Sequence, residues 1–175
     1  MRRALDPSGR QINTLRFCEP ICFPPGREVA MNLAGTITHS VDISAEPEEV
    51  FTTLLANARD GNLDSSFEYW EPREWPPTVG THNDFKARTG LVSIRGVSRF
   101  AEFDPPRRLL IESVKPTFPF FVRMSWDIVP VGEGTRYTYR MEIDAASGVG
   151  WLARSMVRRY DTQMAKDVKA LAALF

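Results

Sequence analysis

The sequence has few cysteines, and they form no pattern typical of a metal or redox site. Cys18 and Cys22 are the only two, with three residues between them and no histidine or second cysteine pair close by. Zinc sites use about four ligands, and disulfide-exchange motifs place two residues between their cysteines. The chain also lacks a P-loop and a dinucleotide-binding glycine motif. We therefore expect no metal site and no cofactor.

Long apolar runs are also lacking. No stretch approaches the roughly 18 consecutive apolar residues that a membrane-spanning helix needs. Arg2 and Arg3 open the chain, but the apolar stretch of a signal peptide does not follow them. We therefore expect a cytoplasmic protein with no integral membrane segment.

Neither sign of charge is in excess. Lys+Arg and Asp+Glu both number 22, so the formal net charge is zero. Proteins that bind nucleic acids usually carry a basic excess or a basic stripe, because contacts to phosphates supply much of their affinity. We interpret the short basic groups Arg107-Arg108 and Arg158-Arg159 as solvated surface. The sequence therefore predicts no nucleic-acid partner.

What is present indicates one folded domain behind a leader. Hydrophobic residues make up 43% and charged residues 25% of the 175 residues, which are ordinary globular values. Residues 1–34 are rich in proline and sustain no period of 2 or 3.6. We interpret them as a disordered or loosely packed leader, or as an over-extended gene model whose true start is Met31. Residues 35–175 are predicted to form the folded domain.

The domain opens with a strand and a helix. Ile37, Val41 and Ile43 share one face at period two, which predicts a half-buried strand. Ser44 is the predicted N-cap of the helix that follows, with Pro47 in its first turn. A second short helix or a loop is expected over residues 57–66.

Strands then follow one another until the chain changes period near its end. Short loops between neighbours predict an antiparallel meander. The predicted strands cover residues 67–75, 81–87, 91–103, 109–114, 120–129 and 137–143.

Apolar residues at spacings of three or four predict a long amphipathic helix over the last segment. They are Leu152, Met156, Tyr160, Met164, Val168, Leu171 and Phe175. The fold class is therefore α+β, with a curved antiparallel sheet of about six to seven strands wrapped on a long C-terminal helix and two short helices after the first strand.

Four stretches carry a resemblance to a known family. They cover residues 43–51, 78–81, 103–109 and 134–139, and they mark turns and the starts of strands and helices. Residues 35–175 resemble the START-related, or SRPBCC, superfamily with its birch-pollen-allergen-like helix-grip fold. Within it, they look like the polyketide cyclase/dehydrase and lipid-transport branch. The resemblance implies a hydrophobic ligand between sheet and helix, and it carries no catalytic residue across.

Large apolar side chains on the inward strand faces and on the helix are the candidate ligand-binding residues. Two interpretations stay open, since these side chains either fill the interior or line a cavity. The candidates are Trp70, Trp75, Phe85, Phe100, Phe120, Met124, Trp126, Tyr137, Tyr139, Met156 and Tyr160.

Catalytic candidates are few. His82 shares a strand face with Asp84, and a His–Asp pair can act as a general base, although no nucleophile is visibly paired with it. Tyr139 brings a hydroxyl to the inward face, and Arg99 is predicted to point outward. His39 is predicted to face solvent.

Three functions remain open from the sequence. The leading expectation is a protein that binds or transports a lipid, polyketide or aromatic molecule. A polyketide cyclase or dehydratase is the first alternative, in which His82, Tyr139 or Arg99 supplies protons. The second is a protein-interaction module that uses the C-terminal helix or the tryptophans. The oligomeric state and the identity of the ligand do not follow from the sequence.

Overall fold

A computed structural model describes residues 30–60, 67–89, 92–114 and 120–175. Within these ranges the chain forms a seven-stranded sheet and two helices. The strands are β1 (Met31–Ile43), β2 (Phe67–Pro72), β3 (His82–Thr89), β4 (Val92–Asp104), β5 (Arg108–Ser113), β6 (Phe120–Val131) and β7 (Gly134–Ala146). The helices are α1 (Pro47–Arg59) and α2 (Gly150–Ala172).

The sheet is an antiparallel meander from β2 to β7, in which each strand pairs with the next along the chain. β1 pairs with β7, so the spatial order is β1-β7-β6-β5-β4-β3-β2. At the β6–β7 turn Gly132 has a φ of 61°, a conformation that glycine adopts without steric cost. The predicted fold class, an α+β helix-grip sheet with a long C-terminal helix, is confirmed.

The start of α1 differs from the sequence prediction. Glu46, not Ser44, is the N-cap residue, and no side-chain hydrogen bond caps the helix. The physical reason is Pro47, because the residue before a proline is sterically disfavoured in helical geometry. Glu46 has an extended backbone, and Pro47 supplies the first helical residue.

The second predicted helix is only partly testable. Its first residues, 57–59, belong to α1, which continues without a break to Arg59. Residues 61–66 lie outside the described residues. β2 ends at Pro72, earlier than predicted, and Arg73 N–H then donates to His82 C=O.

The leader prediction lies mostly outside the described residues. Residues 31–34, which the sequence analysis assigned to the leader, belong to β1, where Met31 pairs with Ala146. Neither helix in the described ranges is long and apolar enough to cross a membrane.

Aromatic rings pack the interior near one end of the sheet. We call it the upper end, and it is the end at which β1 reaches Ile43. Phe51 of α1 meets Phe103 edge-on, with ring centroids 5.8 Å apart. Phe103 meets Phe100 at 5.6 Å, and Phe100 meets Trp70 at 5.7 Å. Each such pair contributes about 0.5–1.5 kcal/mol beyond its buried area. Other fully buried side chains complete this half, namely Leu54, Leu109, Trp126, Ile128 and Tyr137.

The opposite face of the sheet carries cross-strand ion pairs. Arg136 donates to Asp42 through two hydrogen bonds of 2.7 and 2.9 Å, and these bonds lower the pKa of Asp42 from its usual value. Arg108 contacts both Glu102 and Asp127. Exposed pairs of this kind are worth only about 0–1 kcal/mol each. They therefore identify the solvent side of the sheet and do little to hold it together.

The position of α2 depends on a close approach to β1. Gly35 lies just after a register shift in β1, and a Cβ atom built on it would be 2.9 Å from Cγ2 of Val157. Because real Cβ atoms do not come this close to a neighbour, only glycine lets α2 pack against β1 at this distance.

We expect Gly35→Ala to destabilise the protein, because the added methyl group collides with Val157. The expected loss is about 1–3 kcal/mol of unfolding free energy, the range for overpacked cores. Val157→Ala in the same background should recover part of that loss, since it removes the colliding methyl groups.

Chemical denaturation of the wild type, both single variants and the double variant measures this coupling. Gly150→Ala is the control, because a Cβ at Gly150 meets only the end of the Arg154 side chain, at an ordinary 3.6 Å. Additive effects of Gly35→Ala and Val157→Ala would contradict the proposed contact.

Candidate ligand-binding cavity

A cavity lies between the sheet and the first half of α2. α2 packs mainly against β1 and to a smaller extent against β7, at one edge of the sheet. The central strands β4 and β5 therefore face open space where α2 does not reach them. The half of the interior at the end of the sheet opposite the upper end, which we call the lower half, is therefore hollow. The upper half is filled by aromatic rings and by α1.

Fifteen of the described residues line the cavity, and most of their side chains are apolar. About 80 Å³ is accessible to the centre of a water molecule, and about 780 Å³ is free of atoms when the open mouth is included. The smaller figure counts only positions of the water centre, and the larger one includes solvent outside the cavity. The lining residues are Trp70, Phe85, Ala87, Ile94, Ser98, Ile111, Glu112, Ser113, Phe120, Val122, Met124, Met141, Ile143, Met156 and Tyr160.

No Lys, Arg or His side chain is among the described residues that line the cavity. The carboxylate of Glu112 accepts hydrogen bonds from Arg99 Nε and Nη2 at 2.9 and 2.5 Å, on the solvent side of the sheet. The groups that face a bound molecule are therefore apolar or neutral. A charged group in the cavity would lose its hydration without gaining a partner of opposite charge.

Two buried polar side chains, Trp70 of the cavity wall and Asn83 outside it, have hydrogen-bonding groups that are unused among the described residues. Asn83 is fully buried, its Nδ2 lies 3.5 Å from Ser98 Oγ, and its Oδ1 has no hydrogen-bond partner among the described residues. Trp70 is 7% exposed, and its indole N–H likewise lacks a partner there. By contrast, Ser113 Oγ both accepts from Val122 N–H and donates to Val122 C=O.

Just over half of the predicted ligand-binding residues lie at the cavity. Those that line it are Trp70, Phe85, Phe120, Met124, Met156 and Tyr160. Those buried in the filled core instead are Phe100, Trp126, Tyr137 and Tyr139.

Trp75 lies elsewhere. Its side chain is 43% exposed, and the guanidinium carbon of Arg59 stacks 4.9 Å from its ring centroid. This cation–π contact joins the segment after β2 to the end of α1.

None of the three catalytic candidates lines the cavity. His82 is on the solvent side of β3, and Asp84 beside it is held by Arg73 through bonds of 2.8 and 2.9 Å. Hydrogen bonding to Arg73 lowers the pKa of Asp84, and the charge of His82 is the smallest cause of that shift. Arg99 is paired with Glu112, and Tyr139 is buried in the core.

His39 contacts α2, whereas the sequence analysis predicted that it faces solvent. Its Nε2 lies 2.9 Å from Asp161 Oδ1, and 25% of its side chain is exposed. Period-two alternation puts His39 on the same face of β1 as Ile37 and Val41, which is the face that α2 packs against, so the prediction of a solvent-facing side chain was wrong.

Several lining residues are not among the ligand-binding residues predicted from the sequence. Period-two alternation places Val122, Met141 and Ile143 on the inward face, so this signal was available for them. Ser98 and Ala87 have small side chains that a search for large apolar residues passes over. These small residues leave the space that the larger ones enclose.

The sequence and the fold match known proteins. The family model described as polyketide cyclase/dehydrase and lipid transport matches residues 34–175, which include every residue of the cavity wall. No curated protein sequence shows significant similarity to this chain.

Solved structures share the fold. The aromatase/cyclase Zhui of Streptomyces sp. R1128 is 14% identical, with a TM-score of 0.65 over 83% of this chain and 93% of that chain. Norcoclaurine synthase of Thalictrum flavum is 16% identical, with a TM-score of 0.63 over 85% and 96%. The protein TTHA0849 of Thermus thermophilus is 19% identical, with a TM-score of 0.63 over 79% and 95%. At such identities the likeness shows a shared fold.

We expect the pKa of Asp84 to depend on Arg73 and hardly on His82. Arg73→Met should raise it toward the ordinary value, because the two hydrogen bonds to the carboxylate are lost, whereas His82→Gln should leave it nearly unchanged. Carboxyl-carbon NMR titration measures both shifts.

The sign of the accompanying stability change follows from linkage. A lowered pKa in the folded state favours folding above the unfolded pKa of about 3.9, and this contribution disappears as the pH falls through the folded pKa. The difference in stability between wild type and Arg73→Met should therefore be present at neutral pH and absent in strong acid. If the pKa of Asp84 changed more in His82→Gln than in Arg73→Met, the result would indicate a His–Asp dyad instead.

Proposed function

The chain belongs to the polyketide cyclase/dehydrase and lipid transport family, and we propose that it binds a small hydrophobic molecule in the cavity between the sheet and α2. The observation that carries this proposal is the hollow lower half of an otherwise densely packed interior. Its walls are apolar, and they belong to β2 through β7 and to α2. Apolar pockets with a few polar groups are the usual form of small-molecule sites.

The methionines of the wall favour a guest of irregular or variable shape. Met124, Met141 and Met156 come from three different elements and converge on the cavity. Unbranched thioether side chains change rotamer easily and make favourable contacts with aromatic rings. The volume accessible to the centre of a water molecule is only about 80 Å³, so we expect these side chains to move when a large ligand enters.

A flat ring system suits these walls. Phe85, Phe120 and Tyr160 offer aromatic surfaces on different sides of the cavity. Burial of roughly 200 Å² of apolar ligand surface would contribute about 5 kcal/mol before the costs of association are subtracted. Hydrophobic contact alone therefore supports weak binding, and tighter binding requires specific polar contacts.

A cyclase or dehydratase is the second candidate, because the family description includes these activities. Such an enzyme needs a group that moves protons within reach of the ligand. His82 and Arg99 lie on the solvent side of the sheet, and the Glu112 carboxylate is bound to Arg99. Tyr160 is the remaining ionisable residue in the described part of the wall. Turnover of a polyketide mimic that Tyr160→Phe abolishes, without loss of binding, would favour the enzyme.

We expect Val122→Trp to block ligand binding, because Val122 lines the cavity and the larger ring would occupy it. Val129→Trp is the matched control, since Val129 is on the same strand, faces solvent and is 53% exposed. The neutral fluorophore N-phenyl-1-naphthylamine serves as the probe. Its affinity should fall at least tenfold in Val122→Trp and stay within twofold of wild type in Val129→Trp.

Thermal melting checks that both variants fold. If Val122→Trp does not fold, Ala87→Phe on β3 repeats the test by filling the cavity from a different strand. Equal binding by wild type and a folded cavity-filling variant would refute a site in this cavity. Absence of probe binding to wild type would count against the proposed function itself.

A further inference from the structure

We propose that the outward face of α2 docks on a membrane surface that contains anionic lipids. The proposal goes beyond ligand binding in the cavity, because it concerns a surface on the solvent side of the helix. The sequence analysis interpreted Arg158 and Arg159 as solvated surface, and both side chains are exposed. They belong to a larger basic face of the helix, and that face carries the inference.

The exposed side of α2 is basic along most of its length. Because an α-helix has 3.6 residues per turn, this side lies opposite the buried Ala153, Tyr160 and Met164. From Arg154 to Lys169 it extends over about 22 Å, at 1.5 Å per residue. We call it the basic face, and its residues are Trp151, Arg154, Arg158, Arg159, Lys166 and Lys169.

No acidic side chain among the described residues forms an ion pair with the five cations of the basic face. Both acidic residues of α2 are engaged elsewhere. Asp161 contacts His39. Asp167 accepts a hydrogen bond of 3.0 Å from Gln163. On the solvent side of the sheet, by contrast, arginines are paired with carboxylates. The basic face therefore has positive charge available for an anionic partner.

The rest of the helix indicates the kind of partner. Its apolar side is buried against the sheet, so it offers no apolar stripe to a groove on another protein. Trp151 is 67% exposed and borders an open groove together with the three arginines of the basic face. Tryptophan favours the membrane–water interface, and clusters of about four to eight Lys or Arg on a helix are typical of binding to anionic lipids. An anionic lipid surface therefore fits both the charge and the exposed ring.

Docking in this way would bring the cavity close to the membrane. Met156 and Tyr160 line the cavity from the same turns of α2 that carry the three arginines. A helix with its side chains is about 10–12 Å wide, so the cavity wall would lie about that far from the headgroups. A ligand that partitions into the bilayer would then have a short path to the cavity.

Sedimentation of the full-length protein with lipid vesicles tests the proposal. Vesicles of phosphatidylcholine alone are compared with vesicles that also contain phosphatidylserine. We expect binding to the anionic vesicles to be at least about tenfold tighter. Raising the salt from about 0.1 M to about 1 M shortens the Debye length from about 10 Å to about 3 Å, and it should release the protein.

A triple variant, Arg154→Gln with Arg158→Gln and Arg159→Gln, removes the centre of the basic face. Its binding to the anionic vesicles should be about a hundredfold weaker, since each cation near such a surface strengthens binding about fivefold. If thermal melting shows that the triple variant does not fold, Arg158→Gln alone should show a loss of about fivefold.

The matched control changes three arginines that lie away from α2. Arg107→Gln, Arg136→Gln and Arg140→Gln together alter the net charge by the same amount, but these residues pair with carboxylates on the solvent side of the sheet or in its turns. The affinity of this control for the anionic vesicles should stay within about threefold of wild type, because charges more than a Debye length from the lipid are screened. Equal losses in the two triple variants would show that only the net charge matters, and would overturn the proposal.

The fluorescence of Trp151 gives an independent readout. Its emission should shift to shorter wavelength when the anionic vesicles are added, and Trp151→Phe should abolish this shift. Trp75→Phe is the control and should keep the shift, because Trp75 is also partly exposed but stacks on Arg59 of α1. A shift that persists in Trp151→Phe would place a different surface against the lipid and contradict the proposal.

The outcomes separate the two proposals. Val122→Trp should bind the vesicles like the wild type, so a failure of ligand binding in the cavity leaves membrane docking standing. Equal binding to neutral and anionic vesicles, or binding to neither, would overturn membrane docking and leave the cavity untouched. Binding to duplex DNA without binding to the vesicles would also overturn it, since the partner would then be a different polyanion.

Discussion

The contact between α2 and β1 determines where this protein is hollow. Gly35 lets the helix come close to one edge of the sheet, where Val157 occupies the place that a side chain at residue 35 would take. A helix held at one edge cannot also cover the central strands. The space in front of β4 and β5 is the consequence, and the residues that face it are the candidate ligand site. His39 and Asp161 add a polar contact to the same junction.

The hollow half has an energetic cost that the filled half offsets. Apolar atoms of the cavity wall lack the packing partners that the filled half supplies, so they contribute less dispersion energy than the atoms of a packed core. Edge-to-face contacts among Phe51, Phe100 and Phe103, together with the fully buried Trp126, pack the upper half densely. Stability is therefore concentrated at one end of the sheet, which leaves the other end free to keep unfilled space and unsatisfied polar groups. Occupancy by a ligand would recover part of the cost, because it restores contacts to the cavity wall.

The fold could be predicted from the sequence because its signals are local. Turn residues, the change from period two to a spacing of three or four, and the proline at the start of α1 each act within a few residues. The site depends on non-local packing, and the sequence predicted only part of it. Met124 and Trp126 share the inward face of β6, yet Met124 lines the cavity and Trp126 is buried in the core. Alternation says which way a side chain points, but not whether a helix lies opposite. Alternation puts Asn83 on the same face of β3 as Phe85, but only the three-dimensional packing shows that its Oδ1 is buried without a hydrogen-bond partner among the described residues.

The methionine methyl groups offer the most direct measurement of the central claim, that a hydrophobic ligand enters the lower half of the interior. Met124, Met141 and Met156 line the cavity, whereas Met164 is buried in the core and does not line it. In methyl NMR spectra recorded during titration with N-phenyl-1-naphthylamine, the three lining methyl groups should shift together with one dissociation constant, and Met164 should shift little. Unchanged signals from the three lining methionines, at probe concentrations that give saturable binding, would contradict the account.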